Sequence, residues 1–169
     1  MRTLQCFFLM FFTAAAAFRD VKDGRIPNKM ILAGLLTGFC VQTVENGMLG
    51  ILWFLGGAGL PVLLGAVLYY FRMTGGGDIK LLSMAGGFLG IRRAAACIMA
   101  SLLAGAVFSI LIIWKDRNLI KRFRYFFAYV AERKETGKWK PYLDEPEDGR
   151  IHFSLAVLAA VLCYAGGVY

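Results

Sequence analysis

The chain has 169 residues, 59% of them hydrophobic, with a formal net charge of +8 and a mean hydropathy of +0.61. That composition excludes an ordinary soluble domain, in which roughly half the residues are apolar. The basic residues are not interleaved on a soluble face, which argues against a nucleic-acid partner and for a role in membrane topology.

Apolar segments follow one another at about 3–18, 30–44, 48–71, 79–91, 94–114 and 151–169. Each predicts a membrane-spanning helix. The first, with Arg2 ahead of it and a run of alanines at 14–17, also has the outline of a secretory signal peptide. Positive charge directly after it, at Arg19, Lys22, Arg25 and Lys29, favours a retained span. The third segment carries no charge over the 24 residues from 48 to 71, more than the roughly 20 a bilayer requires. The fourth is short: residues 78–91 make about 21 Å of helix against a hydrocarbon core of about 30 Å. If Arg92 and Arg93 anchor its outer end, Asp78 is drawn below the inner surface, into a thinned bilayer or a wet notch.

Between the fifth and sixth segments, 117–134 repeats Leu119, Ile120, Phe123, Phe127 and Val130 at helical spacing among basic residues. That pattern suits a basic amphipathic helix on the inner leaflet. Pro141, Pro146 and Gly149 then mark a polar connection into the last span. The expected fold is an all-α membrane protein of six transmembrane helices with a basic cytoplasmic amphipathic segment, one polytopic domain over 1–169.

Orientation follows from charge. The breaks at 19–29, 72–80 and 115–150 fall on one side and hold 16 of the 19 Lys and Arg residues; Arg2, Arg92 and Arg93 fall on the other. The positive-inside bias puts the first set in the cytoplasm and both termini outside. Cys6, Cys40, Cys97 and Cys163 each stand alone in an apolar run, with no zinc-like spacing, and read as small buried hydrophobes. Neither a metal nor a cofactor is expected, and membrane lipid is the expected surrounding partner.

Outside 115–150 the acidic residues are Asp20, Asp23, Glu45 and Asp78. Ionisable groups at membrane depth are costly, so each is a functional candidate. Asp23 precedes Gly24 in a polar stretch and suits a turn; Glu45 falls in a three-residue outer turn and reads as solvated. Asp20 and Asp78 remain, and topology brings both to the cytoplasmic face. Two adjacent carboxylates share a proton, so that one takes a proton from water while the other protonates a carbonyl oxygen. Gly75, Gly76 and Gly77 before Asp78 are expected to allow close backbone approach and positive φ, leaving room for an extended peptide.

The segment Gly75-Gly76-Gly77-Asp78-Ile79-Lys80-Leu81-Leu82 resembles the GxGD motif, with its following Lys-Leu, of the type IV prepilin peptidases. Upstream, Asp20-Val21-Lys22-Asp23-Gly24-Arg25-Ile26-Pro27-Asn28 resembles that family's first motif, an Asp followed six residues later by Ile-Pro-Asn. The stretch from Ile151-His152-Phe153 to Leu158 is similar to the opening of the last family span, with His152 where Pro is common. The resemblance implies an inner-membrane aspartyl endopeptidase with Asp20 and Asp78 as its catalytic pair. Its substrates would be prepilin or pseudopilin helices with short basic leaders, cut at the cytoplasmic border. It further implies that Pro27 and Asn28 start the second span, with Pro27 at the first helical position, and that Lys80 faces the site or lipid headgroups. Larger family members carry a cytoplasmic region with paired cysteines and a methyltransferase activity; this chain is similar to the peptidase-only form. A small transporter or pilus-assembly subunit using the aspartates as an ion site is the alternative. A presenilin-like protease is disfavoured because the sequence has no Tyr-Asp pair.

Overall fold

The computed structural model describes residues 2–70, 75–115 and 153–167. The chain forms two compact units, one of residues 1–105 with 152–169 and the other of 106–151. All described regular structure is helical: α1 (Arg2–Asp23), α2 (Asn28–Asn46), α3 (Met48–Tyr70), α4 (Gly76–Lys115) and α5 (Phe153–Ala165). Three of these, α1, α3 and α4, are long and apolar enough to cross a membrane, and α5 is a shorter apolar helix. The chain is an α-helical membrane protein. The amphipathic segment expected at 117–134, Arg72 and His152 lie outside the described residues.

The sequence predicts separate spans at 79–91 and 94–114, whereas a single element, α4, covers both. It is nevertheless broken: Gly90 has φ 73° and ψ 165°, a conformation for which glycine is suited because it lacks a Cβ. The interruption therefore comes at Gly90, ahead of the expected charged break at Arg92-Arg93. α2 does not reach the length-and-hydropathy standard of the other three. Its Asn28, Lys29, Gln42, Glu45 and Asn46 explain why.

The first part of α4 is the centre of the larger unit. Every residue from 81 to 90 is buried, and Leu81, Met84 and Phe88 are completely so. Around this stretch, α1 packs against α2 and α5, and α2 against α3. Small residues let the helices close on it, as membrane helices require when lipid is as apolar as leucine. On α2, Gly34 and Gly38, one turn apart, lie against Met84 and Phe88. On α3, a Cβ at Gly57 would overlap the backbone of Gly86, and a Cβ at Gly86 the carbonyl of Gly57. Pro61, within α3, has no N–H to give the Gly57 carbonyl, so that oxygen is available to the facing chain. Ser83 Oγ donates to the Ala58 carbonyl at 2.7 Å in the same contact.

Large apolar side chains remain exposed around the outside, among them Phe7, Phe11, Phe18, Leu52 and Leu63. A surface of this kind suits lipid as solvent. Only Cys97 of the four cysteines is buried; Cys6 is partly exposed, and Cys40 and Cys163 are exposed on this surface, against the expectation that all are interior. An apolar thiol is as comfortable against lipid as against a protein core.

Candidate active site

Four helix ends meet at one end of the bundle. α1 delivers Asp20 in its last turn; α2, α4 and α5 each begin there, with Asn28, Asp78 and Ser154 in their first turns. α1 runs several residues past its expected end, so Asp20 is held on a rigid helix rather than in a loop. Its carbonyl accepts from the Gly24 N–H at 2.9 Å as the helix stops. Asp78 is the third residue of α4. The backbone N–H of Gly75 donates to its carboxylate, while its own N–H donates to the Gly75 carbonyl at 3.2 Å. This is the reciprocal pattern by which an acidic side chain in the first turn closes a helix start.

Asp20 and Asp78, 58 residues apart in sequence, are near enough for their carboxylates to interact through their charges. Both are half-buried. The buried Ser154 hydroxyl donates to Asp20 Oδ2 at 2.5 Å, fixing that carboxylate from α5. Lys80 Nζ donates to Asn28 Oδ1 at 3.0 Å, tying the start of α2 to the start of α4. Lys80 is thus engaged with Asn28, a bond that sequence reasoning did not anticipate. Among the described residues, no three His, Cys, Asp or Glu side chains gather into a metal-holding group.

Three local expectations change. Pro27 is the N-cap of α2, with extended backbone at φ −63° and ψ 128°, and Asn28 is the first helical residue. The Pro27 carbonyl accepts from Met30 and Ile31, so proline shapes the entry into the turn without occupying its first position. Second, none of Gly75, Gly76 and Gly77 has positive φ; Gly76 and Gly77 already belong to α4. The tripeptide provides space instead: a Cβ on Gly75 would come 3.3 Å from Asp78 Oδ2, and one on Gly77 would meet nothing within 4 Å. Third, Asp23 ends α1 in an exposed ion pair with Arg19 at 3.0 Å rather than forming a turn. Such a surface pair contributes about 0–1 kcal/mol.

Beside this helix junction is an apolar cavity of about 440 Å³, lined by residues including Ile31, Leu35, Val62, Tyr69, Ile79 and Lys80. It draws on α2, α3 and the first turns of α4, next to Asp78. Sequence reasoning missed Ser154. The one signal is a polar residue in the opening of an otherwise apolar last segment.

A helical membrane protein that brings two aspartates together at one end of its bundle has the groups needed for acid–base hydrolysis. A family model described as the type IV leader peptidase family matches residues 7–110, more than half of the chain, including Asp20, Asn28 and Asp78. The chain belongs to the type IV leader peptidase family. Membership implies a leader-peptidase-like protease of the aspartic type. No curated protein and no solved structure matched the chain.

Proposed function

We propose that the chain is a membrane aspartyl endopeptidase whose catalytic pair is Asp20 and Asp78. Its substrates are prepilin-like or pseudopilin helices, from which it removes short basic leaders at the cytoplasmic border of the inner membrane. The observation that carries this proposal is the meeting of Asp20 and Asp78 at a single helix junction. One carboxylate takes a proton from a water molecule as that water attacks the scissile carbonyl carbon. The other gives its proton to the carbonyl oxygen, and the amide nitrogen leaves with a proton when the tetrahedral intermediate collapses. Ser154 and the Gly75 N–H position the two carboxylates, and the Lys80–Asn28 bond keeps two of the contributing helices in register.

The apolar cavity beside Asp78 supports a helical, apolar substrate segment, which would leave its polar leader at the carboxylates. Six crossings fit the described helices if α4 crosses twice with Gly90 at the turn, and the charge distribution then puts the aspartate end in the cytoplasm. Co-expression with a prepilin-like substrate tests the assignment. The wild type should shorten the substrate, whereas Asp20→Asn and Asp78→Asn should each leave it full length while remaining in the membrane. Normal processing by either variant would remove that aspartate from the catalytic pair.

A further inference from the structure

A second polar site lies at the other end of the bundle. Gln5 is fifteen residues before Asp20 on α1, about 22 Å along the helix axis. There a cavity of about 340 Å³ is lined by Gln5, Gln42, Glu45, Trp53, Arg92 and Arg93, among others. Its volume is in the range of small-molecule sites, about 300–1,000 Å³. The break at Gly90 helps create it. By turning the chain out of helical register, it offers the Phe88 carbonyl sideways, and both Gln5 Nε2 and Gln42 Nε2 donate to that oxygen. Asn46 Nδ2 in turn donates to Gln42 Oε1 at 2.7 Å.

The amides are therefore satisfied, but one carboxylate oxygen is not. Glu45 is in the last turn of α2, not in the solvated outer turn expected from sequence, and its Oε1 is buried without a hydrogen-bond partner among the described residues. Arg92 and Arg93 line the same cavity, yet no described ion pair joins either to Glu45. Arg93 is held over the Tyr164 ring at 5.8 Å. A carboxylate oxygen shielded from water is stabilised by a hydrogen-bond donor, and the cavity has room to admit one. An anion would complement the guanidinium groups and repel Glu45; a simple cation would do the reverse. A zwitterion satisfies both. The adjoining ends of α2 and α3 expose Val44, Met48, Leu49 and Leu52, which offer apolar surface to acyl chains.

We propose that this cavity binds the headgroup of a zwitterionic phospholipid bearing a primary amine, with the phosphate at Arg92 and Arg93 and the ammonium at Glu45. A primary ammonium supplies N–H donors to a carboxylate, which a quaternary ammonium lacks. The site is independent of the peptidase assignment and uses none of its residues.

The test is native mass spectrometry of the full-length protein in detergent with equal amounts of phosphatidylethanolamine, phosphatidylcholine and phosphatidylglycerol. The wild type should retain phosphatidylethanolamine about tenfold over the other two. Glu45→Gln should abolish that preference, and Arg92→Ala should weaken retention of all three. Added phosphoethanolamine distinguishes the two sources of this chemistry: displacement shows that the headgroup suffices, and resistance shows that the acyl chains contribute as well. Equal retention of the three lipids by the wild type would overturn the proposal, as would a preference unchanged in both variants. The wild-type comparison remains decisive even if a variant fails to accumulate.

Discussion

Asp20 accepts a hydrogen bond from a hydroxyl on the last described helix, 134 residues away in sequence, and under the proposed function that bond makes Ser154 a positioning residue. A hydrogen bond to a charged group contributes about 1.5–3 kcal/mol. Ser154→Ala should therefore slow leader cleavage by about tenfold or more while leaving the amount of protein in the membrane unchanged, as processing rates normalised to membrane abundance would reveal. Full activity in that variant would show that Asp20 is oriented by other means. The two aspartates of the candidate site are legible in the sequence because carboxylates at membrane depth are few and both fall within recognisable motifs. Ser154 is not, because a serine among apolar residues is common and nothing local announces a partner on α1. Glu45 differs from its expected solvated turn for a related reason: a charged residue near a break looks fully solvated in sequence, whereas here the neighbouring chain shields one of its carboxylate oxygens.

At the scale of elements, the central helix depends on small residues where backbones touch. Gly57 and Gly86 approach so closely that either Cβ would overlap the facing backbone, whereas a Cβ at Gly59, half a turn along α3, would meet nothing within 4 Å. Gly86→Ala should lower stability by about 1–3 kcal/mol through overpacking. Gly59→Ala should be neutral or stabilising, since alanine favours helix over glycine. Thermal unfolding in detergent measures both, and equal effects would contradict the close contact between α3 and α4. Hydropathy made the helices legible but not their ends. α1 extends past its apolar run because Arg19 and Asp23 can stay helical at the surface, where hydropathy carries no signal. The break in α4 came at a glycine rather than at the arginine pair because backbone conformation, not charge, ends the regular geometry.

For the whole molecule, the distribution of basic residues predicts that the aspartate end faces the cytoplasm. In a background with the four native cysteines replaced, Met48→Cys, at the exposed start of α3, should react with a membrane-impermeant thiol reagent added to spheroplasts. Lys22→Cys, near Asp20, should react only after permeabilisation; the opposite pattern would invert the topology. Charge along the sequence carries this information, but the gathering of four helix ends around two carboxylates is a property of packing that no linear pattern reveals. Groups that act as a unit lose activity non-additively, each single loss costing about as much as the joint one. The decisive measurement is cleavage of a leader-bearing substrate by the purified protein in proteoliposomes, comparing Asp20→Asn, Asp78→Asn and the double variant. If Asp20 and Asp78 form one catalytic unit, both single variants fall to the background of the double. A single variant that cleaves well above that background would show that its aspartate lies outside the reaction.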